Sequence, residues 1–183
     1  MNKQDIRRAI RASKALLSDS EKTSAAEGVF ARLEASAAFA LAEKVLMYHS
    51  LPDELSTLRF LDKWASRKKF FLPRVNGVNL DILPFERSTL RLGAFQIEEP
   101  QGDDTVDISE IDMVVVPAVA FDRKGYRVGR GKGFYDRLLA DSKAVKVGVG
   151  YDFQLIDDMI DAEPHDVKVD MVITETRMVI VRK

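Results

Sequence analysis

Two short apolar runs, Met113-Val-Val-Val116 and Val145-Lys-Val-Gly-Val149, decide the fold of this chain. Both are short and rich in valine, which is typical of strands buried on both faces in a parallel sheet. Between them a helix begins near Gly133 and carries Leu138 and Leu139. The two runs therefore predict a pair of central parallel strands in an α/β protein.

The sequence on both sides of this centre contains further strand-like and helix-like segments. A helical stripe at residues 58, 61, 64 and 65 lies between two apolar runs and completes a β-α-β pattern. A proline in the third run confines that strand to a sheet edge or a strand end. The last two runs indicate a hairpin. In chain order the runs are Val45-Leu-Met-Tyr48, Lys69-Phe-Phe-Leu-Pro73, Asp81-Ile-Leu-Pro-Phe85, Met171-Val-Ile-Thr174 and Met178-Val-Ile-Val181.

Two helices precede the first strand. Ile6 and Ile10 lie near a 3.6-residue period, which predicts an amphipathic helix over residues 3–17. Ser18 and Glu21 form a capping-box pattern that starts a second helix, with Val29 on its buried face. Because neither a linker nor a repeat interrupts the pattern, we expect residues 1–183 to form one Rossmann-like domain. It would be a three-layer α/β/α structure, with helices on both faces of a mixed, mostly parallel sheet.

Composition limits the kinds of function that are possible. The chain has 183 residues, no cysteine and two histidines, so disulfides and thiolate metal sites are excluded and a metal is expected to be bound by oxygen. A net charge of −1 with mixed signs argues against a nucleic-acid binder. No segment resembles a signal peptide or approaches the ~18 apolar residues of a membrane span. We expect a cytoplasmic protein, most simply a monomer.

Residues 122–137 have the composition of a polyphosphate site. They contain six basic and two acidic side chains, a local excess of +4 in a chain of net charge −1. Interleaved glycines allow backbone N–H groups to approach a single anion, and the following helix would add its N-terminal dipole. The glycines are Gly125, Gly129, Gly131 and Gly133.

Three alternatives compete with this interpretation. A flexible, solvated basic loop remains possible from composition alone. A Rossmann dinucleotide motif does not fit, because the third glycine would fall at Phe134 and the loop does not directly follow a strand. A Walker loop does not fit either, because Gly131-Lys132 is followed by Gly133 and not by serine or threonine. Asp136 is a candidate metal ligand.

The same segment resembles the signature of the 5-formyltetrahydrofolate cyclo-ligase family. The resemblance lies in Val116-Pro-Ala-Val-Ala-Phe-Asp122, Gly125 and Arg127-Val-Gly-Arg-Gly-Lys-Gly-Phe-Tyr-Asp-Arg137. Landmarks elsewhere agree, namely Lys3-Gln-Asp-Ile-Arg7, residues 48–57, Phe71-Leu-Pro-Arg74, and Leu92-Gly93 leading to Glu99-Pro100. Two positions depart from the family pattern, which usually has glycine at Ala118 and often tyrosine at Phe134.

The resemblance implies an ATP-dependent ligase that closes 5-formyltetrahydrofolate to 5,10-methenyltetrahydrofolate through a phosphorylated formyl group, with Mg²⁺ as cofactor. It implies catalytic roles for Lys132 and Arg130. The implied ATP-binding residues are Lys3, Arg7, Arg127, Gly129, Arg130, Gly131, Lys132, Gly133, Phe134 and Tyr135. The implied substrate-binding residues are His49, Glu54, Arg130, Gly131, Lys132, Gly133, Phe134 and Tyr151. The implied metal ligands are Asp136 and Asp170.

Several of these residues also have ordinary structural interpretations. On the residues alone, Lys3 and Arg7 form one solvated helix face, and Glu54 is as well explained as a turn carboxylate. A helix cap or turn explains Asp170 and Asp166. Arg74, Tyr151 and Asp152 are candidates of second rank. Two other functions remain open, a nucleotide-binding module without catalysis and a sugar-phosphate isomerase-like enzyme.

Overall fold

The computed structural model describes residues 1–93 and 97–182. The helices are α1 (Lys3–Ala15), α2 (Asp19–Ala35), α3 (Ala37–Leu41), α4 (Leu58–Trp64) and α5 (Phe134–Leu139). The strands are β1 (Lys44–Leu46), β2 (Lys69–Asn76), β3 (Asn79–Pro84), β4 (Arg91–Leu92), β5 (Glu98–Glu99), β6 (Met113–Val116), β7 (Ala120–Asp122), β8 (Arg127–Val128), β9 (Val145–Val149), β10 (Leu155–Ile156), β11 (Met171–Ile173) and β12 (Met178–Ile180).

Seven strands form the main sheet, in the order β12-β11-β9-β6-β1-β2-β3. The five inner strands are parallel, and each edge strand runs antiparallel to its neighbour. Met113 lies opposite Val145 in the register of β6 and β9, which confirms the predicted central pair. The terminal hairpin is β11–β12, and Pro84 ends the edge strand β3, as predicted.

Helices cover both faces of this sheet. On β6, Met113 and Val115 join the core formed with α2, α3 and α4, whereas Val114 and Val116 join a second core with Leu139 of α5. All four residues of β6 are buried, because the alternation of side chains across a strand points neighbours to opposite faces. The fold is therefore the predicted three-layer α/β/α arrangement.

A second, three-stranded sheet in the order β10-β7-β8 lies on the α5 side and was not predicted. Phe121 of β7 is fully buried against the main sheet. A β-carbon at Gly148 of β9 would lie 2.4 Å from the Phe121 ring, so this approach requires glycine. Ile6 and Ile10 of α1 pack on the small sheet, which fixes α1 beside it.

The helix starts agree with the sequence patterns. Ser18 accepts a hydrogen bond from the Glu21 backbone N–H, and the Glu21 side chain accepts one from Ser18, so the predicted capping box begins α2. α1 ends at Ala15, two residues before the predicted end, and the short α3 was not predicted. Within the described residues, no helix is long and apolar enough to cross a membrane.

Candidate active site

A cavity of about 550 Å³ opens at the carboxyl ends of the parallel strands. Tyr48 and His49, which follow β1, line one side, and residues 117–119, which follow β6, line the other. The chain passes from β1 to β2 in one direction and continues from β6 to β9 in the other. The crevice between β1 and β6 is therefore a topological switch point, where open α/β sheets bind ligands.

The glycine-rich loop, residues 129–133, connects β8 with α5 and lines this cavity throughout. Gly131 (φ +95°) and Gly133 (φ +69°) adopt the left-handed conformation that favours glycine. A β-carbon at Gly129 would meet no described atom within 4 Å, so the backbone there is open to a ligand. The side chains of Arg130 and Lys132 are exposed at the same loop.

Arg127 and Asp136 form an ion pair at the base of the loop. The Arg127 guanidinium donates to Asp136 Oδ1 at 2.7 Å and also to the Val167 carbonyl. The Val167 backbone N–H donates to the same Asp136 oxygen at 3.1 Å. Arg127 lines the cavity, but its side chain is only 6% exposed, so its guanidinium orients Asp136 more directly than it faces a ligand.

Helix α1 carries three basic side chains that line the cavity. Lys3 forms an ion pair with Asp166 at 2.8 Å, and Arg7 Nε donates to the Gly129 carbonyl at 2.9 Å. Lys14 lies 3.8 Å from an oxygen of Asp53. The predicted pair is thus brought to the cavity, with Arg7 at the glycine-rich loop and Lys3 at Asp166, and Lys14 lies on the same helix.

Glu54 is a largely buried carboxylate on the opposite wall. Its side chain is 15% exposed, and Oε1 accepts a hydrogen bond from the Leu51 backbone N–H at 2.9 Å. Arg130 reaches across to Asp53 at 2.9 and 3.1 Å and lies 3.6 Å from Glu54 Oε2. Burial raises the pKa of Glu54 above its ordinary value, and the hydrogen bond from Leu51 and the charge of Arg130 oppose the rise only partly.

Two further predicted ligand-binding side chains lie near Glu54. His49 Nε2 is 3.2 Å from Glu98 Oε2, and burial lowers the pKa of His49 although Glu98 opposes this. Burial also raises the pKa of Tyr135, and the negative charge of Glu54 adds to the effect. Phe134 lines the cavity beside Tyr135. The pocket therefore presents aromatic and imidazole groups near the buried carboxylate of Glu54.

Asp136, His165 and Asp166 form a cluster that could hold a metal ion. One ligand atom from each lies within 4.8 Å of the others. Two carboxylates suit a hard cation such as Mg²⁺, whereas the imidazole is a better ligand for a transition metal. The donor set therefore fits the predicted Mg²⁺ through Asp136 and Asp166.

Two predicted residues lie away from the cavity. The Asp170 carboxylate accepts a hydrogen bond from the Lys146 backbone N–H at 2.9 Å, next to the strand pair β9–β11. Asp170 therefore lies outside the cluster that Asp136 forms with His165 and Asp166, and its role as a metal ligand stays a prediction. Tyr151 belongs to the core and stacks on Phe153 with ring centroids 5.4 Å apart, so it does not line the cavity as expected of a substrate ligand.

The remaining second-rank residues have structural partners. Arg74 donates to the Gly102 carbonyl at 2.8 Å, and Asp152 accepts hydrogen bonds from Thr176. Ala118, which departs from the family pattern, lines the cavity, and its carbonyl accepts a hydrogen bond from Gln154 at 3.0 Å. Residues 94–96, within the landmark from Leu92 to Pro100, lie outside the described residues.

The sequence interpretation did not single out three site residues. Lys14 is seven residues after Arg7, so helical spacing places both on the same face. Asp53 directly precedes Glu54, and His165 directly precedes Asp166. The spacing of Lys14 was a usable signal, whereas no pattern along the chain indicates that Asp53 would meet Arg130.

Comparison with known proteins identifies the family of the chain. The model of the 5-formyltetrahydrofolate cyclo-ligase family matches residues 1–175. The chain belongs to this family. The match includes the segments that line the cavity, among them α1, the loop after β1, residues 117–119, the glycine-rich loop and residues 163–166.

Individual relatives support the assignment to the cyclo-ligase family. The chain is 31% identical over 148 residues to the 5-formyltetrahydrofolate cyclo-ligase of Escherichia coli K12. This alignment covers 75% of this chain and 81% of that protein. The Mycolicibacterium smegmatis cyclo-ligase is 41% identical over 100 residues, covering 52% and 51% of the two chains. The structure of Aquifex aeolicus 5,10-methenyltetrahydrofolate synthetase superimposes with a TM-score of 0.89 at 32% identity, covering 99% of this chain and 93% of that one.

Proposed function

We propose that this protein converts 5-formyltetrahydrofolate and ATP into 5,10-methenyltetrahydrofolate, ADP and phosphate. One observation carries the proposal. A single cavity joins the glycine-rich loop and its exposed Arg130 and Lys132 to the buried carboxylate of Glu54 on the opposite wall. Such a cavity can hold a triphosphate at one end and a polar heterocycle at the other.

The reaction requires activation of a poor electrophile. The formyl group on N5 is an amide, so its oxygen cannot leave as it stands. In the proposed sequence this oxygen attacks the γ-phosphorus of ATP and ADP departs. N10 then bonds to the formyl carbon, the phosphorylated oxygen leaves as phosphate, and N10 loses its proton. The protein supplies positioning and charge, and no covalent bond to a side chain is needed.

The glycine-rich loop provides the phosphate half of this site. Lys132 and Arg130 would neutralise the charge of the triphosphate, and backbone N–H groups of the loop, where no side chain at Gly129 or Gly131 blocks their approach, would add hydrogen bonds. Asp136 and Asp166 would hold Mg²⁺, which when bound neutralises phosphate charge and helps orient the chain of phosphates. Lys3 and Arg7 complete this half from α1.

Glu54 provides the folate half. A buried carboxylate can accept hydrogen bonds from the adjacent amino and N–H groups of the pterin ring, and burial strengthens such pairing. His49, Phe134 and Tyr135 would enclose the ring. A location in the cytoplasm and a monomeric state stay predictions.

The test is a coupled assay. Purified protein is incubated with ATP, MgCl₂ and 5-formyltetrahydrofolate, and ADP release is followed together with the absorbance of the methenyl product. We expect ADP and the methenyl product to appear in equal amounts, and only when all components are present. Binding of ATP with neither product would contradict the proposed reaction and support the nucleotide-binding module.

A further inference from the structure

Helix α1 spans the cavity from its metal end to its Glu54 end. Lys3 pairs with Asp166 of the metal cluster, and Arg7 bonds to the Gly129 carbonyl. Lys14 lies beside Asp53, the neighbour of Glu54. Eleven residues separate Lys3 from Lys14, a helical rise of roughly 16 Å. Lys14 is therefore the basic residue of α1 that reaches the folate half of the cavity.

Lys14 is a cation with little water around it and a weak protein partner. Its side chain is 12% exposed, and the Asp53 oxygen at 3.8 Å is beyond hydrogen-bonding distance. That Asp53 carboxylate is already bonded to Arg130 at 2.9 and 3.1 Å. Burial lowers the pKa of Lys14, which indicates that nearby carboxylates do not fully compensate the lost hydration. Among the described residues, no acceptor lies within hydrogen-bonding distance of its amino group.

The chemistry of a pterin supplies the missing acceptor. The ring carries a donor pair, the 2-amino group and N3–H, directly beside the 4-oxo oxygen. If Glu54 accepts from the donor pair, the oxo oxygen lies next to that carboxylate and requires a donor of its own. A buried oxygen without a donor would lose affinity. Lys14 lines the same cavity beside Asp53, the neighbour of Glu54, and has three N–H groups.

We propose that Lys14 determines specificity for the pterin ring by donating a hydrogen bond to its 4-oxo oxygen. The inference rests on the proposed function, since it requires a folate held by Glu54. Arg130 is less suited to this contact, because Asp53 holds its guanidinium and its backbone belongs to the phosphate-binding loop. Lys14 therefore adds a recognition element that the family signature segment does not contain.

The experiment compares 5-formyltetrahydrofolate with its counterpart that has a 4-thioxo group in place of the 4-oxo oxygen, which keeps the 2-amino group and N3–H but offers a much weaker hydrogen-bond acceptor. Dissociation constants are measured by calorimetry without ATP for the wild type and the variants Lys14→Met and Lys14→Arg. Arg11→Met, which removes a charge from the exposed face of the same helix, is the matched control. Circular dichroism verifies that each variant is folded.

We expect the wild type to prefer the oxo ligand by about tenfold or more, on the scale of one hydrogen bond to a charged group. Lys14→Met should bring the ratio of the two dissociation constants close to one, Lys14→Arg should restore part of it, and Arg11→Met should leave it unchanged. The affinity for ATP should stay the same in all variants.

Two results would overturn the inference while leaving the proposed function intact. One is a wild type that binds both ligands equally, and the other is a Lys14→Met variant that weakens both ligands by the same factor. The second result would show that Lys14 acts only by general charge or packing. A wild type that binds neither ligand and forms no methenyl product would instead overturn the proposed function, and this inference with it.

Discussion

At the scale of single residues, two lysines of the basic segment 122–137 differ in their position relative to the cavity. Lys132 lines the cavity, whereas Lys124 lies on the exposed β7–β8 turn outside it. We expect Lys132→Ala to lower turnover by about 10² or more, because it removes one preorganised charge from the phosphate site. Steady-state kinetics measures the change. Lys124→Ala is the matched control, and an equal loss in both variants would show that only the general positive charge matters.

We expect the ionised Glu54 carboxylate to lower the stability of the fold and to contribute to binding of the folate. Because burial raises its pKa above the ordinary 4.5, the ionised form is less favourable in the folded than in the unfolded chain. This destabilisation develops as the pH rises from the ordinary pKa towards the higher pKa of Glu54 in the folded state, and it is absent below the ordinary pKa. Glu54→Gln should therefore raise the free energy of unfolding at about pH 8 and change it little at about pH 4.

The same variant should weaken binding of 5-formyltetrahydrofolate, since an amide cannot accept from both pterin donors as a carboxylate does. Urea unfolding at the two pH values and calorimetry give the two readouts. Glu43→Gln, at an exposed carboxylate outside the cavity, serves as the comparison. A Glu54→Gln protein that is less stable at high pH would show that the attraction between the Glu54 carboxylate and Arg130 outweighs the burial cost.

At the scale of elements, the small sheet depends on one turn. Gly125, between β7 and β8, has φ +87°, and a β-carbon there would lie 2.6 Å from the Val169 carbonyl oxygen. Gly77, in the β2–β3 turn, has φ +63° but no described atom within 4 Å of that position. An alanine at either position would therefore carry the cost of the left-handed conformation, roughly 1–2 kcal/mol, but only an alanine at position 125 would also clash with the backbone.

We expect Gly125→Ala to lower the free energy of unfolding clearly more than Gly77→Ala. Urea denaturation of both variants measures the difference. The clash should also move the Val169 segment, because the Val169 backbone N–H donates to the Gly125 carbonyl at 2.9 Å. Equal losses in the two variants would mean that the turn accommodates the added methyl group.

The elements predicted from sequence are those with a strong local pattern. Four consecutive apolar residues at 113–116 predict a buried strand, and the Ser18 capping box predicts the start of a helix. β7, β8 and β10 have two or three residues each, which is too short for any periodicity to appear. They form a sheet only because Phe121 packs over Gly148 and α1 covers the outer side. That information lies in tertiary packing.

At the scale of the whole molecule, the cavity is assembled from segments that are far apart in the chain. Sequence identified the chemically important types, such as the glycine-rich loop and Glu54, and the structure brings them together. The sequence could not predict pairings across the cavity, such as that of Arg130 with Asp53. Asp166 and Asp170 are four residues apart on one segment, and only the turn of the backbone between them decides which faces Asp136.

The position of Asp166, and not Asp170, beside Asp136 gives a prediction about the stability of the whole protein. A ligand at 100 times its dissociation constant stabilises a fold by about 2.7 kcal/mol, and each kcal/mol raises the Tm of a domain this size by roughly 2–4 °C. We expect ATP with MgCl₂ to raise the Tm more than ATP with EDTA. Asp136→Asn and Asp166→Asn should remove that metal-dependent difference.

Asp170→Asn should retain the difference, because an asparagine oxygen can still accept the hydrogen bond from the Lys146 backbone N–H. All three substitutions remove one negative charge and keep the side-chain shape, so a general electrostatic effect on ATP binding would appear in each of them. Thermal unfolding with and without EDTA therefore isolates the metal site. If Asp170→Asn alone abolished the difference, the metal would be bound near β11 and not beside the glycine-rich loop.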